Sequence, residues 1–335
     1  MSTTTTNAAA TPAFGGLEQL ALSTMWMQHR FDRVTEFAAA ARGLGFGGIE
    51  LSHIVTPAML AGADVPALGV RSVHFPAPLQ PSPFGAPAEA LLSAPDESAR
   101  RWAVAQGFAS IDLAVACGAT AVCLHLGETP AARHLEWALA QRYLGGQAGT
   151  ADYDAARREV EADRQRVAGP SLAAARRSLD ELADYARPRA IRLGIESRVN
   201  YWQIPTMDEL ATLLDGSDPE TVGFWYDGGH VQVLHNLGFH DHARWLDLFA
   251  DRIVGVHFHD VIGLRDHLLP GQGEIDLDWM AARLPSHAAL TCELDWYFTS
   301  EEIVTGARRV AEALARTGYG NGRREPGEKS VTPPP

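Results

Sequence analysis

The sequence predicts an α/β protein, a (β/α)8 barrel of the TIM type with disordered termini and a long helical insertion after the fourth strand. Three observations predict it. Short, almost continuously apolar runs alternate with segments of helical periodicity, the pattern of a parallel sheet covered on both faces. Eight such runs can be counted, the number a closed barrel requires. An acidic or imidazole side chain also recurs at the end of each of the last four runs, whereas an open doubly wound sheet gathers its polar groups at one switch point.

Residues 1–16 are Thr/Ala-rich and end in Gly15-Gly16, so a disordered N-terminal tail is expected there. A single barrel domain is expected over 17–318. The strand candidates are 20–24, 48–53, 70–75, 121–127, 191–197, 222–227, 254–259 and 290–295. Helical spacing over 31–44 stops at Gly45, and 98–117 reads as a long Ala-rich helix. Thr206-Met207-Asp208-Glu209 and Thr299-Ser300-Glu301-Glu302 both carry the capping-box pattern, opening helices through Leu214 and Thr317. A Pro-rich loop with Pro76, Pro78, Pro81, Pro83 and Pro87 follows the third strand. The segment 128–170 is too long for a simple connection, and its part 151–167 is charged and helical. Such insertions shape the mouth of a site or meet another subunit. A partial lid is the favoured reading, and a homodimer is left open. Residues 319–335 are rich in Gly, Pro and charge, and a disordered C-terminal tail is expected.

The chain has 335 residues, 46% of them hydrophobic, enough for a large core. Its formal net charge of −13 disfavours nucleic acid as a partner, because phosphate-binding proteins usually present a basic face. No apolar run approaches the length of a membrane span, so no membrane partner is expected. Residues 1–16 lack the basic start and apolar block of a secretion signal. Three cysteines (Cys117, Cys123, Cys292) in apolar runs read as buried reduced thiols of a cytoplasmic protein.

The chemistry lies at the strand ends. Glu196, Asp227, His257 and Glu293 each close one of the last four runs, and a parallel barrel brings such ends to one mouth. Nitrogen and oxygen ligands of this kind suit Mn, Zn, Co, Fe or Mg, with no thiolate to select zinc. Without a cation, three clustered carboxylates would repel one another and raise each other's pKa. Each residue alone has a plainer reading: a loop anchor, a hydrogen-bonded core histidine, or a turn at Asp227-Gly228-Gly229. Four coincidences at matching positions are harder to dismiss. His74 and His125 end the third and fourth runs, His230 follows a Gly-Gly turn, and His267 sits in the loop Arg265-Asp266-His267. These are candidates for substrate binding or for additional metal. His259 and Asp260 are candidates too, and spacing alone leaves the choice between His257 and His259 open. Trp26, Trp202 and Trp296 read equally as core or as apolar walls for a sugar ring.

From about Leu20 to Thr317 the chain resembles the xylose-isomerase-like barrel superfamily of sugar isomerases and epimerases, inosose dehydratases and apurinic-site endonucleases. The resemblance rests on Gly194-Ile195-Glu196, Asp227-Gly228-Gly229-His230, Val256-His257-Phe258-His259-Asp260 with Asp266-His267 and Gly271-Gln272-Gly273-Glu274-Ile275-Asp276, and Glu293-Leu294-Asp295-Trp296. It implies Glu196, Asp227, His257 and Glu293 as metal ligands, favours His257 over His259, and makes Glu196 and Glu293 an acid/base pair. The implied activity is isomerisation or epimerisation of a sugar or cyclitol through proton abstraction next to a carbonyl and a metal-stabilised enolate. His230, His259 and Arg198 would bind substrate oxygens. The alternatives it implies are a lyase or dehydratase sharing that enolate, and an endonuclease-like phosphodiester hydrolase. For the latter, His74 and His125 match an additional zinc site and His267 a third. Arg265 stands where that pattern has Asp, with Asp266 as a partial substitute.

Overall fold

The computed structural model describes residues 16–319. The two terminal stretches expected to be disordered lie, apart from Gly16 and Tyr319, outside the described residues. Eight parallel strands close into a barrel: β1 (Ala21–Ser23), β2 (Gly48–Leu51), β3 (Val70–His74), β4 (Ala121–Leu124), β5 (Arg192–Glu196), β6 (Val222–Asp227), β7 (Ile253–Phe258) and β10 (Ala289–Cys292), with β10 pairing back onto β1. All eight expected runs are strands. Their C-terminal ends come earlier than hydropathy suggests in every case but β6, because residues such as Ser52, Leu126 and Leu294 are apolar or buried but lie beyond the last paired residue. The remaining strands, β8 (Asp260–Ile262) and β9 (Arg265–Leu268), pair antiparallel beyond β7. His267 is therefore in a strand of this hairpin rather than in an irregular loop.

The helices α1 (Val34–Gly43), α2 (Pro57–Leu60), α3 (Ala88–Leu91) and α4 (Glu97–Cys117) occupy the first half of the chain. Asp96 accepts from the Ala99 N–H to start α4, and Gly118 at φ 74° ends it in the left-handed conformation that glycine favours. The insertion after β4 forms α5 (Arg133–Leu144) and α6 (Ala151–Val167), continuing into α7 (Gly169–Ala186). The second half contains α8 (Met207–Asp215), α9 (Gly228–Asn236), α10 (His242–Phe249), α11 (Leu277–Ala281) and α12 (Ser300–Arg316). Both expected capping boxes form, with Thr206 and Glu209 at α8 and Thr299 and Glu302 at α12.

One apolar cluster fills the space between strands and helices, from Leu17 to Leu314. Inside the barrel Trp225 is the main filler. A Cβ at Gly255 would lie 2.3 Å from its ring and one at Gly194 2.8 Å, so both glycines make room for the indole. Cys117, Cys123 and Cys292 are free and buried. Trp26 belongs to the core, where its N–H donates to Phe298 O at 2.8 Å, and it forms no wall of the mouth. No helix among the described residues is long and apolar enough to cross a membrane.

Candidate metal centre

Strand register delivers the central residues. Asp227 on β6 is the direct partner of His257 on β7, and Glu196 is the last residue of the adjacent β5. Glu293, just past β10, donates its N–H to Phe258 O at 3.2 Å, which draws it alongside β7. The result is a set of four buried donors whose ligand atoms all lie within 4.8 Å of one another: Glu196, Asp227, His257 and Glu293. The Nδ1 of His257 is 3.1 Å from Glu196 Oε1, 3.1 Å from Glu293 Oε2 and 3.4 Å from Asp227 Oδ2. His257 thus turns one nitrogen toward three carboxylates.

Its other nitrogen explains why. Nε2 lies 3.0 Å from Glu50 Oε1, and Ser72 Oγ donates to Glu50 Oε2 at 2.7 Å. A carboxylate behind an imidazole fixes its ring and tautomer, the usual arrangement behind a metal-ligating histidine. Sequence reasoning missed Glu50. The available sign was an acid inside the apolar strand Gly48-Ile49-Glu50-Leu51, where the side chain is fully buried.

Asp227 is held differently. Its Oδ1 accepts from the His230 N–H at 2.7 Å and lies 2.8 Å from His259 Nε2. The first bond makes Asp227 the N-cap of α9, so Gly228 and Gly229 form the first helical turn and not a reversal. Gly229 is needed for another reason: a Cβ there would stand 1.9 Å from the His259 ring. The second oxygen, Oδ2, is buried and has no hydrogen-bond partner.

Around this centre the histidines divide. His74 Nε2 and His125 Nε2 approach Glu196 Oε2 at 3.2 and 2.5 Å, forming a second convergent trio. His230 Nδ1 lies 2.9 Å from Ser197 O, with its ring facing the rings of His259 and His267. Both nitrogens of His259 are committed: Nε2 to Asp227, and Nδ1 to the N–H of His267 at 2.8 Å. His259 therefore positions Asp227 and the hairpin. His267 reaches Asp266 Oδ2 at 3.3 Å and Glu293 Oε2 at 3.6 Å. Asp260 accepts N–H bonds from Val261, Gly271, Gly273 and Ile275 and is used up in shaping that loop.

Electrostatics follow from burial and proximity. Burial alone would raise the Glu196 carboxyl, but His125, His257 and His74 beside it hold it well below the usual carboxylate range. Burial disfavours the His257 cation, yet Glu293, Glu50, Asp227 and Glu196 outweigh it and push the imidazole well above its ordinary value.

The residues present fit a divalent cation. A buried carboxylate oxygen without a partner, facing an imidazole and two further carboxylates, is costly unless positive charge sits among them. The donors are oxygen and nitrogen, and no thiolate belongs to this set of four.

The mouth opens into two adjoining cavities of about 550 and 320 Å³, which share Gly85, Ala86 and Pro87 of the Pro-rich loop and Glu89 of α3. The first is bordered by His53, whose buried Nδ1 has no partner, and the second by His125, Arg198, Gln203 and Arg133. The insertion walls the latter side. Arg164 of α6 donates to Tyr201 O at 2.5 Å and Gln203 O at 2.8 Å and pairs with Glu209 at 2.6 Å, while Glu136 of α5 accepts from the N–H groups of Tyr201 and Trp202 at 3.0 and 3.3 Å. Trp202 is buried beside Trp137, and Trp296 is 42% exposed against His29.

The open end of the barrel thus gathers three carboxylates and an imidazole at one point. The chain belongs to the xylose isomerase-like TIM barrel family, whose pattern matches residues 38–316. Among solved structures, a D-tagatose 3-epimerase-like protein is similar at 16% identity and a TM-score of 0.62, covering 89% of this chain and 98% of that one. The IolI protein with a bound zinc atom is similar at 14% identity and 0.59, covering 90% and 99%. An uncharacterised protein of Sinorhizobium fredii is 28% identical over 103 residues, 30% of this chain. The inosose dehydratase of Lactiplantibacillus plantarum is 40% identical over 58 residues, 17% of this chain. The matches span only 32% and 18% of the length of these two relatives.

Proposed function

We propose that the protein is a divalent-metal-dependent isomerase or epimerase acting on a sugar or cyclitol. The observation that carries this reading is the convergence of Glu196, Asp227, His257 and Glu293 with the buried Asp227 Oδ2 left unpartnered among them. These four residues would hold the ion, and the ion would supply Lewis acidity that lets negative charge develop on a substrate carbonyl oxygen. Everything else falls to the chain's own groups. Glu196 and Glu293 flank His257 Nδ1 at equal distances of 3.1 Å, so two carboxylates are available beside one bound carbonyl. One takes the proton next to the carbonyl, and the other returns a proton to a different face or atom. His230, His125 and Arg198 present polar atoms for substrate hydroxyls. His259 keeps Asp227 aligned, and the Pro-rich loop with the insertion restricts water.

The similar epimerase fold and the zinc-bearing IolI protein support this choice, and the short match to an inosose dehydratase supports a second: a lyase that shares the first proton abstraction and then expels a hydroxyl. A sugar and inosose panel in deuterium oxide tests both. Deuterium incorporated at carbon with retained mass otherwise marks an isomerase or epimerase, and loss of water marks the lyase. Glu293→Gln, assayed with the ion at a concentration that keeps the site filled, should lose at least 100-fold in turnover. Full turnover with metal retained would remove the two-carboxylate mechanism.

A further inference from the structure

The N-terminal ends of the strands, opposite the mouth, surround a chamber whose chemistry is independent of the reaction proposed above. Along β5 the inward positions are Glu196, Gly194 and Arg192, because successive strand residues alternate between faces and Gly194 meets the Trp225 indole inside the barrel. Glu196 belongs to the layer of the candidate metal centre and Gly194 to the layer filled by Trp225, so Arg192 enters the layer beneath. Ala121 is its direct partner on β4. Ala121, Val254 and Ala289 pack with Trp225 and are too small to fill this lowest layer. With Val70 they line a cavity of about 310 Å³, reached past Arg71, Thr120 and His287 at the rim.

The charges lining this chamber are of one sign. Arg71 and Arg192 face it, and no carboxylate among the described residues does, in a chain of net charge −13. Arg71 is fixed by backbone oxygens: Nη2 donates to Glu18 O at 2.7 Å and Gly47 O at 3.2 Å, and Nη1 to Gln19 O at 3.3 Å. A Cβ at Gly47 or Gly48 would stand 2.4 or 2.7 Å from its side chain, so both glycines make room for it. The carbonyls hold the guanidinium without neutralising it, and the Glu18 carboxylate accepts from the Gly16 N–H at 2.8 Å instead. His287 donates from Nε2 to Ile253 O at 3.1 Å, which leaves Nδ1 uncommitted. Arg192 is half-buried and makes no hydrogen bond or ion pair with a described residue, yet none of its nitrogens is sealed off. Burial pulls its pKa below the ordinary guanidinium value; Glu220 opposes this without pairing, and Arg252 reinforces it. A partly desolvated cation with all its donors unspent is costly, and an oxyanion with several acceptor oxygens relieves that cost.

We propose that the base of the barrel is a binding site for a phosphate group, free or esterified, received by Arg192 and Arg71 with His287 at its edge. The layer of Trp225 separates it from the candidate metal centre, so its occupant stabilises the barrel and does not compete with a ligand at the mouth.

Calorimetric titration of the metal-loaded protein with inorganic phosphate and with glycerol 3-phosphate, against potassium chloride at constant ionic strength, tests this directly. At least one phosphate should bind with a dissociation constant below about 1 mM, and the tighter of the two identifies the free ion or the ester as the better occupant. Arg192→Met should weaken that binding about tenfold or more, with Arg192→Lys between. Asp227→Asn, aimed at the metal centre instead, should leave it unchanged. Phosphate should also raise the melting temperature of the wild-type protein and not that of Arg192→Met. No binding of either phosphate up to about 10 mM, or heat matched by chloride, overturns the proposal with the wild-type protein alone. So does binding that survives Arg192→Met and disappears in Asp227→Asn, since the phosphate would then sit at the mouth. An Arg192→Met variant that melts well below the wild-type protein in phosphate-free buffer, or fails to fold, also overturns it, because the guanidinium would then be spent on the fold itself.

Discussion

Single side chains carry two of the sharpest consequences. Glu50 touches none of the other three central residues, but it holds the far nitrogen of His257 at 3.0 Å. Glu50→Gln should therefore lower affinity for the divalent ion about 10–100-fold while leaving all four candidate ligands in place, as competition with a chelator would measure. Unchanged affinity would mean that packing alone orients His257. Glu136 offers a pH effect away from the metal. Burial raises its carboxyl to about 7, against the opposing influence of the Tyr201 and Trp202 N–H bonds and of Arg164. A folded-state pKa above the ordinary 4.5 means that the native protein holds the proton more tightly than the unfolded chain. The stability associated with that proton is present below about pH 4.5 and is lost as pH rises through about 7, amounting to about 3 kcal/mol. Denaturation at pH 5 and pH 8 should show the decline in the wild-type protein and a smaller one in Glu136→Gln. An identical decline in both would exclude Glu136 as its source.

Secondary-structure elements were the most legible part of the sequence, for identifiable reasons. Apolar runs bounded by capping boxes and glycines located β1–β7 and β10, and the charged helix at 151–167 emerged with those bounds. The hairpin of β8 and β9 was hidden because its strands are short and half polar, and its shape is imposed by Asp260 collecting four backbone N–H groups. Nor could local pattern reveal that α5 and α6 dock onto the loop after β5, since those bonds run between residues up to 66 positions apart. That docking is testable. Arg164→Met leaves Glu209 largely buried and unpaired and removes the donor to Tyr201 O and Gln203 O. It should cost about 3 kcal/mol in denaturant titration, and adding Glu209→Gln should recover part of the loss. A cost below about 0.5 kcal/mol would place the pair among exposed ion pairs of little consequence.

For the whole molecule, the closed barrel is what makes distant residues neighbours: Glu50 and His257, 207 positions apart, share a hydrogen bond across its interior. The sequence therefore displayed the four strand-end donors as a pattern but not Glu50, His53 or the buried, unpartnered Nε of Arg198, which only closure and side-chain packing define. Because the ion would bind the folded barrel and not the open chain, removing it should lower the melting temperature. Ion held at a hundred times its dissociation constant contributes about 2.7 kcal/mol. The number of ions also separates reactions. One per chain accords with sugar chemistry, whereas filling of the His74/His125 and His230/His267 positions as well would favour phosphodiester hydrolysis.

The most direct measurement is elemental analysis of the purified protein beside Asp227→Asn. One divalent ion per chain in the first and a loss of most of it in the second is the expected result. A protein that binds no divalent ion at micromolar concentration, or an Asp227→Asn variant that retains it in full, would contradict a centre built on Glu196, Asp227, His257 and Glu293.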